Sequence, residues 1–189
     1  MRVRMTLHEK GIPFETKEED LKNFSNELQK LHPEAKVPVL VHKDVALYES
    51  SIITEYIEDY FPTPSLMPSK AYGRAQLRLL TYWCNQIFKP HVDAFKYGEF
   101  RCSPEEAKLA PQNIRNDLTK LEAHLANSDF LLGESISLAD IHIFPFVRQF
   151  SRSEGAQEVI KDFPRTSTWL EKILARPSFE RTIEKKKPV

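Results

Sequence analysis

Two hydrophobic periods alternate along the chain. Val37–Val41 is a β-branched apolar run, Lys43-Asp44 is a turn signal, and Val45–Tyr48 is a second short run, which together predict an antiparallel hairpin. The period then changes. Ile52, Ile53, Tyr56, Ile57 and Tyr60 fall on one face of a helix opening at Glu49-Ser50-Ser51. Upstream, Val3, Met5 and Leu7 stripe a helix over Met1–Lys10, with Gly11 placed to cap it. Ile12–Thr16 reads as a short strand. Phe24, Leu28 and Leu31 mark a helix over Asn23–Leu31 that His32-Pro33 ends. The order is helix, strand, helix, strand, strand, helix.

Tyr60–Pro68 carries Pro62, Pro64 and Pro68, so it cannot sustain a helix and reads as an extended linker. Everything beyond it has the helical period. Leu77, Leu80, Trp83, Ile87 and Phe88 face a core from a helix over Ala71–Lys89, which Pro90 kinks or ends. Ser103-Pro104-Glu105-Glu106 is a helix start, and Leu109, Ile114, Leu118, Leu121 and Leu125 supply the apolar positions of a helix reaching about Ala126. Ser137-Leu138-Ala139-Asp140 is a capping box with Asp in the usual place of Glu, and Ile136 and Ile141 fit a hydrophobic staple. Ile141, Ile143, Phe144, Phe146, Val147 and Phe150 then cover nearly the whole circumference, the mark of a buried central helix. Phe163-Pro164, Thr168–Ala175 and Pro177–Ile183 close the chain with further helices.

Composition narrows the function classes. At 189 residues the chain holds one or two modest domains, and its 27 basic and 27 acidic residues cancel, against a general nucleic-acid or anionic-membrane surface. The only cysteines, Cys84 and Cys102, form no C-x-x-C pair and imply no disulfide framework. With no signal peptide and no long apolar run, a cytoplasmic protein without a membrane span is expected. The Lys185–Lys187 run reads as a solvated tail. His8, His32, His42, His91, His124 and His142 are scattered without metal-ligand spacing, so no metal site is expected. His142 reads as a satisfied core histidine and Cys84 as a buried, inert thiol. Tyr82, Trp83 and Tyr97 could line an apolar cosubstrate pocket, but an aromatic stripe is more often core, and they are read so.

The remaining chemistry sits at the two ends of the Lys36–Tyr60 unit. Pro38 belongs at a strand start or edge, because it cannot donate to a ladder. A cis Val37-Pro38 bond would turn the Val37 N–H and C=O out of the sheet toward an extended peptide-like ligand, although bare statistics favour trans. Glu49-Ser50 stands where a helix begins: free N–H groups and a hydroxyl suit a carboxylate, and Glu49 suits an ammonium. The plainer alternative is an N-cap with a dipole-complementing acid.

K-V-P-V-L followed by Y-E-S-S-I-I-T-E-Y-I resembles the glutathione-binding half of cytosolic glutathione S-transferases, of omega-like or related bacterial kind. G-E-S-I-S-L-A-D-I-H-I-F-P-F resembles the family's C-terminal-domain signature, whose cap is structural. The resemblance covers essentially the whole chain. It implies an α/β thioredoxin-like N-terminal domain (residues 1–61), a linker (62–70) and an all-α helical domain (71–189). It implies that glutathione's γ-glutamyl group meets Glu49 and Ser50, that its cysteinyl backbone meets Val37 beside Pro38, and that its glycyl carboxylate lies near Lys36. R-V-R-M-T-L-H-E-K-G-I-P-F-E resembles the family's first helix and second strand, so the first strand of the fold and the catalytic Cys, Ser or Tyr are expected before Met1, in a longer natural protein. No catalytic residue is therefore assigned. The alternative is a rearranged fold, or a partner chain's strand filling the gap. The implied activity is conjugation of glutathione to an electrophile, or glutathione-dependent thiol exchange with a disulfide, in a detoxifying homodimer. The competing expectation is a non-catalytic member of the same fold that binds other proteins, as a bacterial stringent-starvation protein does.

Overall fold

The computed structural model describes residues 1–20 and 23–184, so the Lys185–Lys187 tail lies outside the described residues. The chain divides into two compact units, residues 1–65 together with the stretch from Pro177, and Leu66–Arg176.

The first unit begins with α1 (Arg2–Glu9). Gly11, at φ 65°, ends it in a Schellman turn: its N–H bonds the His8 carbonyl and the Ile12 N–H bonds that of Leu7. Residues 12–18 run extended, with Ile12, Phe14, Thr16 and Glu18 turned partly inward and Pro13, Glu15 and Lys17 outward. The strand expected at Ile12–Thr16 is absent as a strand. Its side chains alternate, but among the described residues no neighbouring strand pairs with it. Ser25 caps α2 (Asn26–Leu31) by accepting from the Leu28 N–H, so this helix starts three residues later than its apolar spacing predicts. The hairpin is β1 (Val39–His42) against β2 (Val45–Tyr48), in register Val39↔Tyr48 through His42↔Val45. α3 (Ser50–Tyr60) follows at once.

Val3, Leu7, Ile53 and Ile57 form the core between α1 and α3, with Ile12, Phe14, Leu40 and Leu47 packed against it. Of the five apolar positions expected on one α3 face, Ile53 and Ile57 are buried, whereas Ile52 and Tyr60 are exposed. The Lys10 ammonium is fully buried. It bonds the Glu58 carboxylate at 2.6 Å and the Pro64 carbonyl at 2.5 Å, pinning α1 to α3 and to the chain leaving α3. The last helix, α10 (Pro177–Ile183), packs on α1, where the Ser178 hydroxyl donates to Glu9. It therefore groups with the first unit, although the sequence pattern runs it on from the helical half.

The second unit is helical. α4 (Ala71–Trp83) passes into one π turn at Cys84–Phe88 and then into α5 (Lys89–Tyr97). Pro90 is the cause: without an N–H it cannot bond the Gln86 carbonyl, and the register widens so that the Lys89 N–H reaches the Cys84 carbonyl. Ile87, placed in the core by an uninterrupted helical period, is thereby 42% exposed. Ser103 and Glu106 form a complete capping box for α6 (Pro104–His124). Its buried stripe runs through Ala110, Ile114, Leu118 and Leu121, while the expected Leu109 is exposed. α7 (Leu138–Ser151) is the buried central helix, closed by the Ser137–Asp140 box and tied to the linker by the Leu138 N–H on the Leu66 carbonyl at 2.9 Å. α8 (Ala156–Ile160) and α9 (Pro164–Leu174) complete the unit. No helix among the described residues is long and apolar enough to cross a membrane.

Candidate functional site

The hairpin register assembles the site. Antiparallel pairing of Val39 with Tyr48 sets the residues before β1 beside those after β2, so Lys36, Val37 and Pro38 come next to Glu49 and Ser50. The sequence separates these two groups by a dozen residues; two strands and a tight turn at Lys43 (φ 54°) close the distance.

The approach to β1 is shaped by His32. This buried ring accepts the Glu34 N–H on Nδ1 at 2.9 Å and packs on Tyr48 with centroids 4.5 Å apart. The Ala35 N–H bonds the His32 carbonyl at 3.0 Å, and Ala35 itself has φ 49°. The Val37-Pro38 peptide bond is cis. Val37 stands outside the ladder, with its side chain 48% exposed. Lys36 projects into solvent and pairs with Glu34. That pairing, with Glu49 adding to it, holds the ammonium above its ordinary pKa, and Lys36 in turn holds the Glu34 carboxyl below the usual range.

Glu49 is the N-cap of α3 at φ 66°, ψ 113°. An L residue with a Cβ reaches this region only when its surroundings force it there, and such positions collect at ligand sites. The first-turn N–H groups of α3 have no partner inside the helix, and Ser50 sits among them. The Ser50 hydroxyl accepts from the Arg2 guanidinium at 3.2 Å, so a cation from the start of α1 joins the helix N-terminus. The arrangement offers a carboxylate on the N-cap residue, a guanidinium on the next residue's hydroxyl and a positive helix end: the complement of a group carrying both an ammonium and a carboxylate. Arg2 and His32 escape sequence reasoning. Arg2 gives only the weak signal of a charge beside the apolar stripe of α1, and the role of His32 depends on packing with Tyr48.

The other chemistry-bearing residues turn inward. His142 is buried and shares a 2.8 Å hydrogen bond with the Thr81 hydroxyl. Cys84 is buried, with Sγ directed at the His142 carbonyl 3.7 Å away. Trp83 is core, stacked on Phe88. Tyr82, expected in the core, is 65% exposed, and half-buried Tyr97 carries Lys96 and Arg101 over its ring. Among the described residues no group of three His, Cys, Asp or Glu is placed to hold a metal ion.

Comparison with known proteins bears on both units. The family described as "Glutathione S-transferase, N-terminal domain" matches residues 1–59, and "Glutathione S-transferase, C-terminal domain" matches residues 75–177. A probable glutathione S-transferase of Nicotiana tabacum is 34% identical over 188 residues, 97% of this chain and 83% of that protein. A stringent starvation protein A homolog of Haemophilus ducreyi is 29% identical, over 96% of this chain and 83% of that protein. A glutathione transferase of Burkholderia graminis, crystallised with two glutathione molecules per subunit, superposes with a TM-score of 0.84 at 26% identity, over 98% of this chain and 83% of that one.

Proposed function

The chain belongs to the glutathione S-transferase family, and from that premise we propose that the Lys36–Pro38 and Glu49–Ser50 constellation is its glutathione site. The observation that carries the reading is Glu49, held at positive φ at the head of α3 beside the cis Val37-Pro38 bond. In this reading the γ-glutamyl ammonium pairs with the Glu49 carboxylate. Its carboxylate takes the Ser50 hydroxyl and the free N–H groups of α3, with the Arg2 charge behind them. The cysteinyl backbone pairs with the N–H and C=O of Val37, and the glycyl carboxylate lies near Lys36. These residues bind and orient glutathione. The proposed reaction joins its thiolate sulfur to an electrophilic carbon, which sheds its leaving group with the bonding pair, or attacks a disulfide, breaking the S–S bond and releasing one sulfur as a thiolate. Assembly as a homodimer, a detoxifying role and a cytoplasmic location belong to the same proposal.

Isothermal titration of glutathione into the folded protein tests it. Saturable binding is expected, and Glu49→Ala weakens it by roughly 1–3 kcal/mol if the carboxylate meets the ammonium. Equal affinity in both proteins would refute that placement. The likeness to a stringent starvation protein A homolog, at an identity near that of the transferases, supports a second reading, a protein-binding module that does not turn over. Conjugation of an electrophile that Glu49→Ala slows favours the first reading and overturns this one.

A further inference from the structure

A recess opens where α1, the chain leaving it and α10 meet, all within the first unit. No hairpin residue lines it, and none of the residues proposed to hold glutathione does. Its volume of about 380 Å³ falls within the range of small-molecule sites, about 300–1,000 Å³. Its polar lining is mostly cationic. Arg4 and His8 reach it from α1 and Arg181 from α10, against the single carboxylate of Glu184. Each guanidinium is steadied by one bond that leaves it further N–H groups. Nη2 of Arg4 donates to Glu18 at 2.5 Å, and Nε of Arg181 donates to the Pro177 carbonyl at 3.3 Å. The Thr16 hydroxyl, on the chain leaving α1, is buried without a hydrogen-bond partner among the described residues. The rest of the lining is apolar: Ile12, Pro13 and Phe14, with the His8 ring leaning on that of Phe14 at a centroid distance of 4.9 Å.

Two planar forks of donors and an orphaned hydroxyl want several acceptor oxygens diverging from one centre. A phosphate supplies them, and a carboxylate offers only two in one plane. The aromatic and proline wall beside those donors suits the face of a flat ring. We propose that this recess binds an aromatic phosphate monoester. The phosphate lies between Arg4 and Arg181 and accepts from the Thr16 hydroxyl; the ring lies along Pro13 and Phe14. The site is independent of the glutathione reading.

Isothermal titration of 1-naphthyl phosphate into the protein tests it, with 1-naphthol and inorganic phosphate as the two halves of the probe. Saturable one-to-one binding of 1-naphthyl phosphate is expected. Each half alone should bind at least about tenfold more weakly, and Arg181→Gln should weaken the whole probe about tenfold, the worth of one charge-assisted hydrogen bond. Arg181 is an exposed side chain, so this change leaves the fold intact. Amide shifts in a nitrogen–proton spectrum locate the probe, and they should centre on Gly11, Thr16 and Arg181. No saturable binding overturns the proposal. Equal binding of 1-naphthol overturns it, since the recess would then be only an apolar slot, and equal binding of inorganic phosphate overturns the aromatic part. Equal affinity in Arg181→Gln, or shifts centred on Val37 and Ser50 instead, would place the probe elsewhere and overturn the site.

Discussion

Asp140 is fully buried, and its two oxygens accept from the Leu131 N–H, the Trp169 indole N–H, the Ser137 N–H and the Ser137 hydroxyl, all between 2.7 and 2.9 Å. Burial nonetheless pushes its carboxyl above the ordinary aspartate range, because removal from water outweighs the donors. The side chain therefore does more than cap α7: it joins the loop at Leu131 and helix α9 to the helix start. Asp140→Ala removes the cap and leaves a buried indole N–H and a buried backbone N–H without acceptors. The expected loss is roughly 3 kcal/mol or more, read as a fall in the urea midpoint; an unchanged midpoint would contradict this role. The Ser137–Asp140 box is legible in sequence because its partners are three residues apart. Trp169 and Leu131 are not, since nothing local marks them as sharing the same carboxylate. The same contrast holds at Glu49: its place before Ser50 is written in the chain, whereas its positive φ is imposed by the junction of β2 with α3.

Among elements, α1 and α3 depend on one contact as much as on their apolar stripes. Lys10 leaves the end of α1 with its ammonium sealed from water by Glu58 and the Pro64 carbonyl, and the Ser65 hydroxyl takes the other Glu58 oxygen at 2.6 Å. Lys10→Met keeps the apolar stem but takes the ammonium from a buried carboxylate. It should destabilise the first unit by about 3–5 kcal/mol. The readout is faster amide exchange in α1 and α3, with exchange in α7 as the internal control; unaltered exchange in α1 and α3 would mean that the pair is ornamental. Helical periodicity found the helices but misplaced single positions on them, Ile52 and Tyr60 on α3, Leu109 on α6, and Ile87 across the π turn, where Pro90 forces a different count. Strand alternation is present at residues 12–18, but no partner strand pairs with them among the described residues.

At the scale of the whole molecule, equal numbers of acids and bases leave its pH response to a few groups in special surroundings. His124, near the end of α6, is one of them: burial, then the charge of Lys120, lowers its pKa from the ordinary 6.5. The unfolded chain therefore binds the proton more readily, so the contribution of His124 to stability is present above about pH 6.5 and is lost as pH falls through the lower folded value. His124→Gln should flatten the rise of unfolding free energy between about pH 5 and 7 in urea titrations, and an unchanged slope would remove His124 from the account. The sequence by itself determined the helices that flank the hairpin, the hairpin, the caps at Ser103 and Ser137, and the pairing of Glu49 with Ser50 ahead of a helix. All of these rest on interactions within a few residues along the chain. Only the tertiary structure decided that Tyr82 and Leu109 lie outside, that α10 packs on α1, and that Arg2 reaches Ser50. Those outcomes rest on which distant surfaces meet, and side-chain periodicity marks a buried face without naming what buries it.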